Sequence, residues 1–445
     1  MRTAVIQNNS LLDSGRIDPS YHLSESIKLK KQLLGSPYKL STIGEKSEDV
    51  FLGNIFTRVF VKDAEHGIPY IAASDMTKSG VDSGKFISKK QAKKLKRLML
   101  DSGWILISCS GTLGNVVYTN DLFKNTFATH DLIRLIPDEK KLPSGFLYAY
   151  LASKYGYTLL TQSGFGGVVK HINQEHVANI PIPLFPESKQ QKIHNLIVES
   201  ANLRVEANRL LEEATECFDQ LMKKENNISC RTISIRNTRN RFDSFSVLEN
   251  NVIDSIIDKN SSIEWIPIKT ISEKIFIGPR SKRNYVAKGV PFLSGSELQK
   301  ANPTKVEKFL SIKDATPFIV NKDWILITRS GTIGNVSYVF PILDEYGATD
   351  DAIRVVVKSK SKLTSKYLYA FLTSKFGKKS IQKDIFGSVI QHINEEQLGS
   401  ILVPILDINK IDGKIEKYCL FMNDAIVKEN QAITLVEKEI ESWQQ

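Results

Sequence analysis

With 445 residues the chain is long enough for roughly two to four domains. Its 41% hydrophobic and 24% charged residues suit a globular protein, and no run approaches the roughly 20 apolar residues of a membrane span. A net charge of +11 is the electrostatic footprint expected of a nucleic-acid binder, although acidic protein partners and solubility are served by it too.

The first 36 residues form an N-terminal arm without the apolar core of a signal peptide, so a cytoplasmic protein is expected. A first globular block, residues 37–186, follows. Its runs "PYIAAS", "WILIS" and "LIRLI" predict strands bounded by turn residues. Between them "KFISKKQAKKLKR" is dense in lysine, and Lys85, Lys89 and Lys90 are candidates for phosphate contact. The stretch "WILISCSGTLGN", Trp104 to Asn115, puts a small-residue loop after a strand. Ser110, Gly111 and Thr112 there offer backbone N–H groups that approach phosphate or base edges closely, or the glycines simply make a required turn. "GFLYAYLASKYG" is apolar at helical spacing and predicts one helix stopped by its glycine. The glycine-rich "SGFGGVV" predicts a turn, leading to Lys170 and His171 of "KHIN", a further DNA-contact candidate. Residues 187–225 contain neither proline nor glycine. Leu196, Ser200, Leu203, Ala207, Leu210, Ala214, Cys217 and Leu221 mark a heptad seam and so a coiled-coil helix.

After a connector, residues 226–264, the same text returns. "WILITRSGTIGN", Trp324 to Asn335, repeats nine of the twelve residues of its counterpart, and the other shared stretches keep their order at an offset of 220 to 225. The second block spans residues 265–406 and the second spacer helix residues 407–445, with a seam at Ile415, Cys419, Met422, Ile426, Glu429, Ile433, Val436, Ile440 and Trp443. Glu429 interrupts it, and Gly413 weakens its first turn. The second set of candidates is Arg280, Lys282 and Arg283 of "GPRSKRNY", Arg329, Ser330, Gly331 and Thr332 of the loop, and Gln391 and His392. Arg329 stands where the first copy has Cys109, and its fork suits phosphate or guanine. The expected fold class is α+β: two tandem mixed α/β domains, each followed by a long helix, with the two helices paired as an antiparallel coiled coil.

Catalytic chemistry is not visible. There is no phosphate-binding GxxxxGK[ST] loop, and "PDEK" (Pro137 to Lys140) becomes "VKSK" (Val357 to Lys360) without a carboxylate for a metal. His130 before Asp131 becomes Asp350 before Asp351, while His171 and His392 recur without a metal-ligand neighbour. The four cysteines, Cys109, Cys217, Cys230 and Cys419, are scattered without a CxxC pair and are expected as buried thiols.

The duplicated "WILI-x-x-SGT-[LI]-GN" stretch, together with "HINQEHVANIPIPLFPESKQQKI" running into a long helix, resembles the specificity subunit of Type I restriction-modification systems. The second copy departs at "ILVPILDINK", which lacks the double proline. The resemblance implies a non-catalytic prokaryotic subunit in which two target recognition domains each read one half of a split site in double-stranded DNA. The helices would space them and dock two methyltransferase subunits, and motor-nuclease subunits would complete the complex. S-adenosylmethionine, ATP and Mg2+ would then sit on those partners and none on this chain. Two other classes stay open: a recognition subunit of a Type IIB-like methyltransferase/nuclease, and a coiled-coil scaffold that reads no DNA.

Overall fold

The computed structural model describes residues 25–81, 83–110, 112–162, 171–222, 244–330, 332–383, 385 and 392–443. The chain divides into two units, Met1–Val205 with Asp424–Gln445, and Glu206–Asn423. The first unit opens with α1 (Glu25–Leu34) and holds β1 (Leu40–Thr42), β2 (Ser47–Leu52), β3 (Phe60–Val61), β4 (Gly67–Ile71), β5 (Phe86–Ser88), β6 (Ile105–Ser108), β7 (Val116–Tyr118), β8 (Phe127–Ala128), β9 (Leu132–Pro137) and β10 (Pro181–Pro183). One antiparallel sheet runs β2-β9-β6-β7, and a second runs β3-β5-β4-β8 with β4 and β8 parallel. A short pair, β1-β10, closes the block. All four residues of β6 are buried because both faces of the sheet are covered. Ile105 and Ile107 face the core that holds Phe146 and Leu160, while Leu106 packs with Ile71, Met76 and Leu132.

Four helices lie beyond β9, with β10 between the third and the fourth: α2 (Ser144–Ala152), α3 (Lys154–Gln162), α4 (Gln174–Ala178) and α5 (Glu187–Asp219). The sequence predicts one helix ending at glycine where there are two broken at Ser153. Ser153 Oγ donates to the Tyr150 carbonyl (2.6 Å) and accepts from Gly156 N (3.3 Å), ending one helix and starting the next. Gly156 lies inside α3, where a Cβ would stand 2.2 Å from Tyr150 O. It is there for close approach of two helices and not as a stop.

In the second unit α6 (Ser244–Lys259) occupies the stretch read as connector, with Ile253 and Ile256 buried. The block then repeats strand for strand. It holds β11 (Trp265–Pro267), β12 (Ser272–Ile277), β13 (Tyr285–Val286), β14 (Val290–Leu293), β15 (Phe309–Leu310), β16 (Ile325–Thr328), β17 (Val336–Tyr338), β18 (Gly347–Ala348), β19 (Ala352–Val357) and β20 (Leu402–Pro404). Their sheets are β12-β19-β16-β17, β13-β15-β14-β18 and β11-β20, the same three arrangements as in the first block. The helices repeat as α7 (Ser365–Thr373), α8 (Lys375–Gln382), α9 (Glu395–Ser400) and α10 (Ile408–Ser442). Ser374 makes the same double cap, donating to Phe371 O (2.6 Å) and accepting from Gly377 N (2.9 Å).

Arg134 and Arg354 sit at matching places in β9 and β19 and are fully buried. Each guanidinium donates to carbonyls of the adjoining segment: Arg134 to Leu132 (2.8 Å) and Ala128 (2.9 Å), Arg354 to Ala348 (2.9 Å). Burial pushes both down to about 10, which leaves them charged at neutral pH. They knit the start of one sheet to the end of the other.

Within the first unit α5 and α10 run antiparallel, as the pairs Lys189–Glu439 (2.5 Å) and Glu199–Lys428 (2.9 Å) require. Ile433, Val436 and Ile440 of α10 join Phe146, Ile193 and Ile197 in one core. The seam read for α10 is buried from Ile415 to Ile440 and half-exposed at Trp443. Of the seam read for α5, Ser200, Ala207, Leu210 and Ala214 are buried while Leu196, Leu203, Cys217 and Leu221 are half-exposed, and Ile193, Ile197, Ala201 and Phe218 are buried beside it. That helix covers a globular block as well as another helix, so its apolar stripe is wider than a heptad seam. In the second unit Phe218 packs edge-on to Tyr367 and Phe371 (5.4 and 5.5 Å), and Glu213 pairs with Lys414. Glu429, the residue that interrupts the seam, is buried but fully paired. It meets Arg204 (2.6 Å) and accepts from the Tyr148 hydroxyl (2.6 Å), while Ser200 Oγ donates to Ala425 O (2.7 Å). Among the described residues no helix is long and apolar enough to cross a membrane.

Candidate nucleic-acid interface

In both units the loop after the central strand is built by one hydroxyl. Ser108 Oγ accepts from Asn115 N (3.0 Å) and donates to Thr112 O (2.6 Å). Thr328 Oγ1 accepts from Asn335 N (3.1 Å) and donates to Thr332 O. The difference between "IS" and "IT" in the two copies therefore preserves the group that matters. Gly114 and Gly334 have φ of +77° and +82°, the left-handed region that favours glycine. The turn leaves Thr112 and Thr332 exposed at the tip.

The structure joins this loop to the "HIN" motif, which the sequence shows only as a separate string. Ser110 bridges His171 and Ser330 bridges His392, each pairing antiparallel. Ile172 N donates to Cys109 O (3.1 Å) and Ile393 N to Arg329 O (3.2 Å). Each letter of the motif has its own task. The isoleucine is buried, and the asparagine caps the next helix: Asn173 accepts from His176 N (2.8 Å) and Asn394 from Gln397 N (2.8 Å). The histidine is left at the loop, exposed in the first unit and half-exposed in the second. Gly111, Lys170, Gly331 and Gln391 lie outside the described residues.

Beneath the loop is a second constellation. Asp351 accepts from Ser330 Oγ, and its carbonyl accepts from Arg329 N (3.2 Å). In the first unit Asp131 meets His130 Nε2 (3.2 Å) and Arg58 (3.7 Å). Arg58 also donates to the Tyr70 hydroxyl (2.7 Å) and Thr129 Oγ1 (3.1 Å). Its counterpart is Arg283, which pairs with Asp350 (3.3 Å) and lies over the Phe292 ring (5.4 Å). Arg283 thus has an internal, positioning task besides any contact with DNA. Sequence reading missed Arg58; its signal is position, since each arginine stands five residues after the glycine that ends β2 or β12.

Lys85, Lys89 and Lys90 are exposed; the latter two open the short helix Lys89–Lys94 capped by Ser88, and Lys89 Nζ also donates to Glu65 O (2.6 Å). Arg280 and Lys282 are exposed between β12 and β13. Arg329 is half-buried, its Nε buried without a hydrogen-bond partner among the described residues. Cys109, at the same place in the first unit, is buried, and burial together with the Asp131 charge pushes its thiol up to about 11. It stays a neutral packing group. Cys419 is buried too, Cys217 half-buried, and Cys230 lies outside the described residues. Arg329→Ala is expected to weaken duplex binding by about 1–3 kcal/mol if the fork is bidentate to guanine. A titration of the variant that shows wild-type affinity and base preference would assign Arg329 to loop packing alone.

One trio among the described residues, Asp63, Glu65 and His66, gathers ligand-type atoms within 4.8 Å. It is a surface turn in which His66 hydrogen-bonds Asp63 (2.8 Å), and the second copy has no corresponding trio in its shorter β13–β14 turn.

Comparison with curated proteins gives no match. Among solved structures the chain is similar to an S subunit of a Type I restriction-modification system from M. genitalium, at 16% identity and a TM-score of 0.31 over 91% of this chain and 94% of that one. It is similar as well to the HsdS subunit from Thermoanaerobacter tengcongensis, at 13% identity and 0.30, over 91% and 96%. The family model described as the Type I restriction modification DNA specificity domain matches twice, at residues 45–206 and 271–433. Those two matches take in more than half of the chain and each contains one loop, one "HIN" bridge and one buried arginine, so the chain belongs to the Type I restriction modification DNA specificity family.

Proposed function

We propose that this chain is the DNA sequence-specificity subunit of a Type I restriction-modification complex, each block reading one half of a bipartite site in double-stranded DNA. The observation that carries it is the duplication of one built surface, a loop and a bridged histidine made by the same bonds in both blocks, while each block carries its exposed basic segment at a different place. Phosphate contacts from the lysines give affinity, and the side chains that differ give address. The long helices dock two methyltransferase subunits, with motor-nuclease subunits completing the assembly in the cytoplasm. S-adenosylmethionine, ATP and Mg2+ belong to those partners, and the isolated chain neither methylates nor cuts DNA.

The test is a block exchange. Replacing residues 265–406 by the corresponding block of another family member is expected to change the bases recognised in one half-site and leave the other as it was. Mapping methylated sites in a host that carries the hybrid reads this directly. A change in both halves would mean that the blocks do not read independently.

A further inference from the structure

The two blocks can be superposed residue for residue along one edge by their strand pairing. Leu52 faces Ile133 as Ile277 faces Ile353, and Phe60 faces Ile87 as Tyr285 faces Leu310. The segment between β2 and β3 therefore has the same length as that between β12 and β13, and Ile55 corresponds to Arg280. Beyond β5 and β15, Ser88 corresponds to Ser311, each capping a short helix, so Lys89 corresponds to Ile312. Ile55 is 86% exposed and Ile312 is 79% exposed, more than any other large apolar side chain among the described residues. Each stands where the other block carries an exposed cation. Single apolar residues on a surface are ordinary; a reciprocal exchange of isoleucine and cation at two matching positions is not accounted for by folding.

We infer that Ile55 and Ile312 are specificity-determining side chains that take thymine 5-methyl groups in the DNA major groove, at stations where the opposite block presents Arg280 and Lys89. The inference rests on the DNA-reading function proposed above. Thymine is distinguished in the major groove by its methyl group, and apolar side chains read it by contact. The segment that carries Ile55 is held in place for such a contact. Gln91 accepts from Val59 N (2.9 Å) and donates to Thr57 O (2.5 Å), and Arg58 pins the same segment to Tyr70 and Thr129. The residue after each helix station is an exposed lysine in both blocks, Lys90 and Lys313. A constant cation beside a variable side chain is the arrangement for holding phosphate while reading a base. Lysine is depleted from the cores of protein–protein interfaces, which favours a polyanion over a protein as the occupant.

The experiment uses the full chain, with and without a co-expressed methyltransferase subunit, and two randomised duplex pools, one made with thymine and one with uracil in its place. The thymine pool is expected to yield an enriched bipartite sequence containing thymine in each half. Uracil at the contacted position should lower affinity about fourfold for each methyl lost. In Ile55→Ala that discrimination should vanish in the half-site read by the first block, and in Ile312→Ala in the other. Equal binding of thymine and uracil duplexes by the unaltered chain, or discrimination that survives both substitutions, overturns the inference. Loss of subunit assembly without any change in base preference overturns it in favour of a protein contact. Enrichment of no sequence at all would count against DNA reading itself, a different failure from that of the thymine stations.

Discussion

Glu429→Ala is expected to destabilise the first unit by about 3–5 kcal/mol, because it leaves a buried charge without its partner. The Arg204 side chain is only 14% exposed and Glu429 only 5%, so water cannot replace the lost carboxylate cheaply. The Tyr148 hydroxyl loses its acceptor in the same step. By contrast, Arg204→Met combined with Glu429→Leu is expected to recover most of the loss, since apolar residues of similar volume often replace a buried pair at little cost. Denaturant unfolding of the three proteins, followed by tryptophan fluorescence (Trp443 packs at 5.8 Å from Tyr38 in this unit), measures both effects. A cost below about 1 kcal/mol for Glu429→Ala, the range of surface pairs, would mean that Arg204 swings out to solvent.

Gly377→Ala is expected to cost at least about 3 kcal/mol by overpacking, since its Cβ would lie 1.9 Å from Phe371 O and 2.7 Å from the carbonyl carbon, both backbone atoms. Relief would require α7 and α8 to separate around Ser374, and Phe376, Ile381 and Phe371 are all buried there. The control is Gly413→Ala. That glycine lies within α10 with no atom inside 4 Å of where a Cβ would stand, so alanine should stabilise by about 0.5–1 kcal/mol through helix propensity. Opposite signs for the two substitutions in thermal unfolding identify close approach, and not helix propensity, as the reason for Gly377. A neutral Gly377→Ala would show that the helix junction yields.

Signals carried by a few neighbouring residues are enough to determine much of this protein. The duplication, the strands at "WILI" and "LIRLI", the long helices and the family follow from local pattern and repetition, and the structure has those elements at those places. The sequence equally shows that Glu429 breaks an apolar seam and that Ser153 interrupts an apolar stretch ending in glycine. It does not show why. Tyr148 lies 281 positions from Glu429, and the histidine that bridges Ser110 belongs to a different string of the same block. Those pairings exist only after packing has brought distant segments within hydrogen-bond reach, and a polar side chain leaves the same trace in a sequence whether water or a buried partner satisfies it. The same holds for α5, whose buried stripe spreads beyond its heptad seam because a block as well as a helix covers it. Local periodicity fixes which residues share a face; only the tertiary structure decides what that face meets.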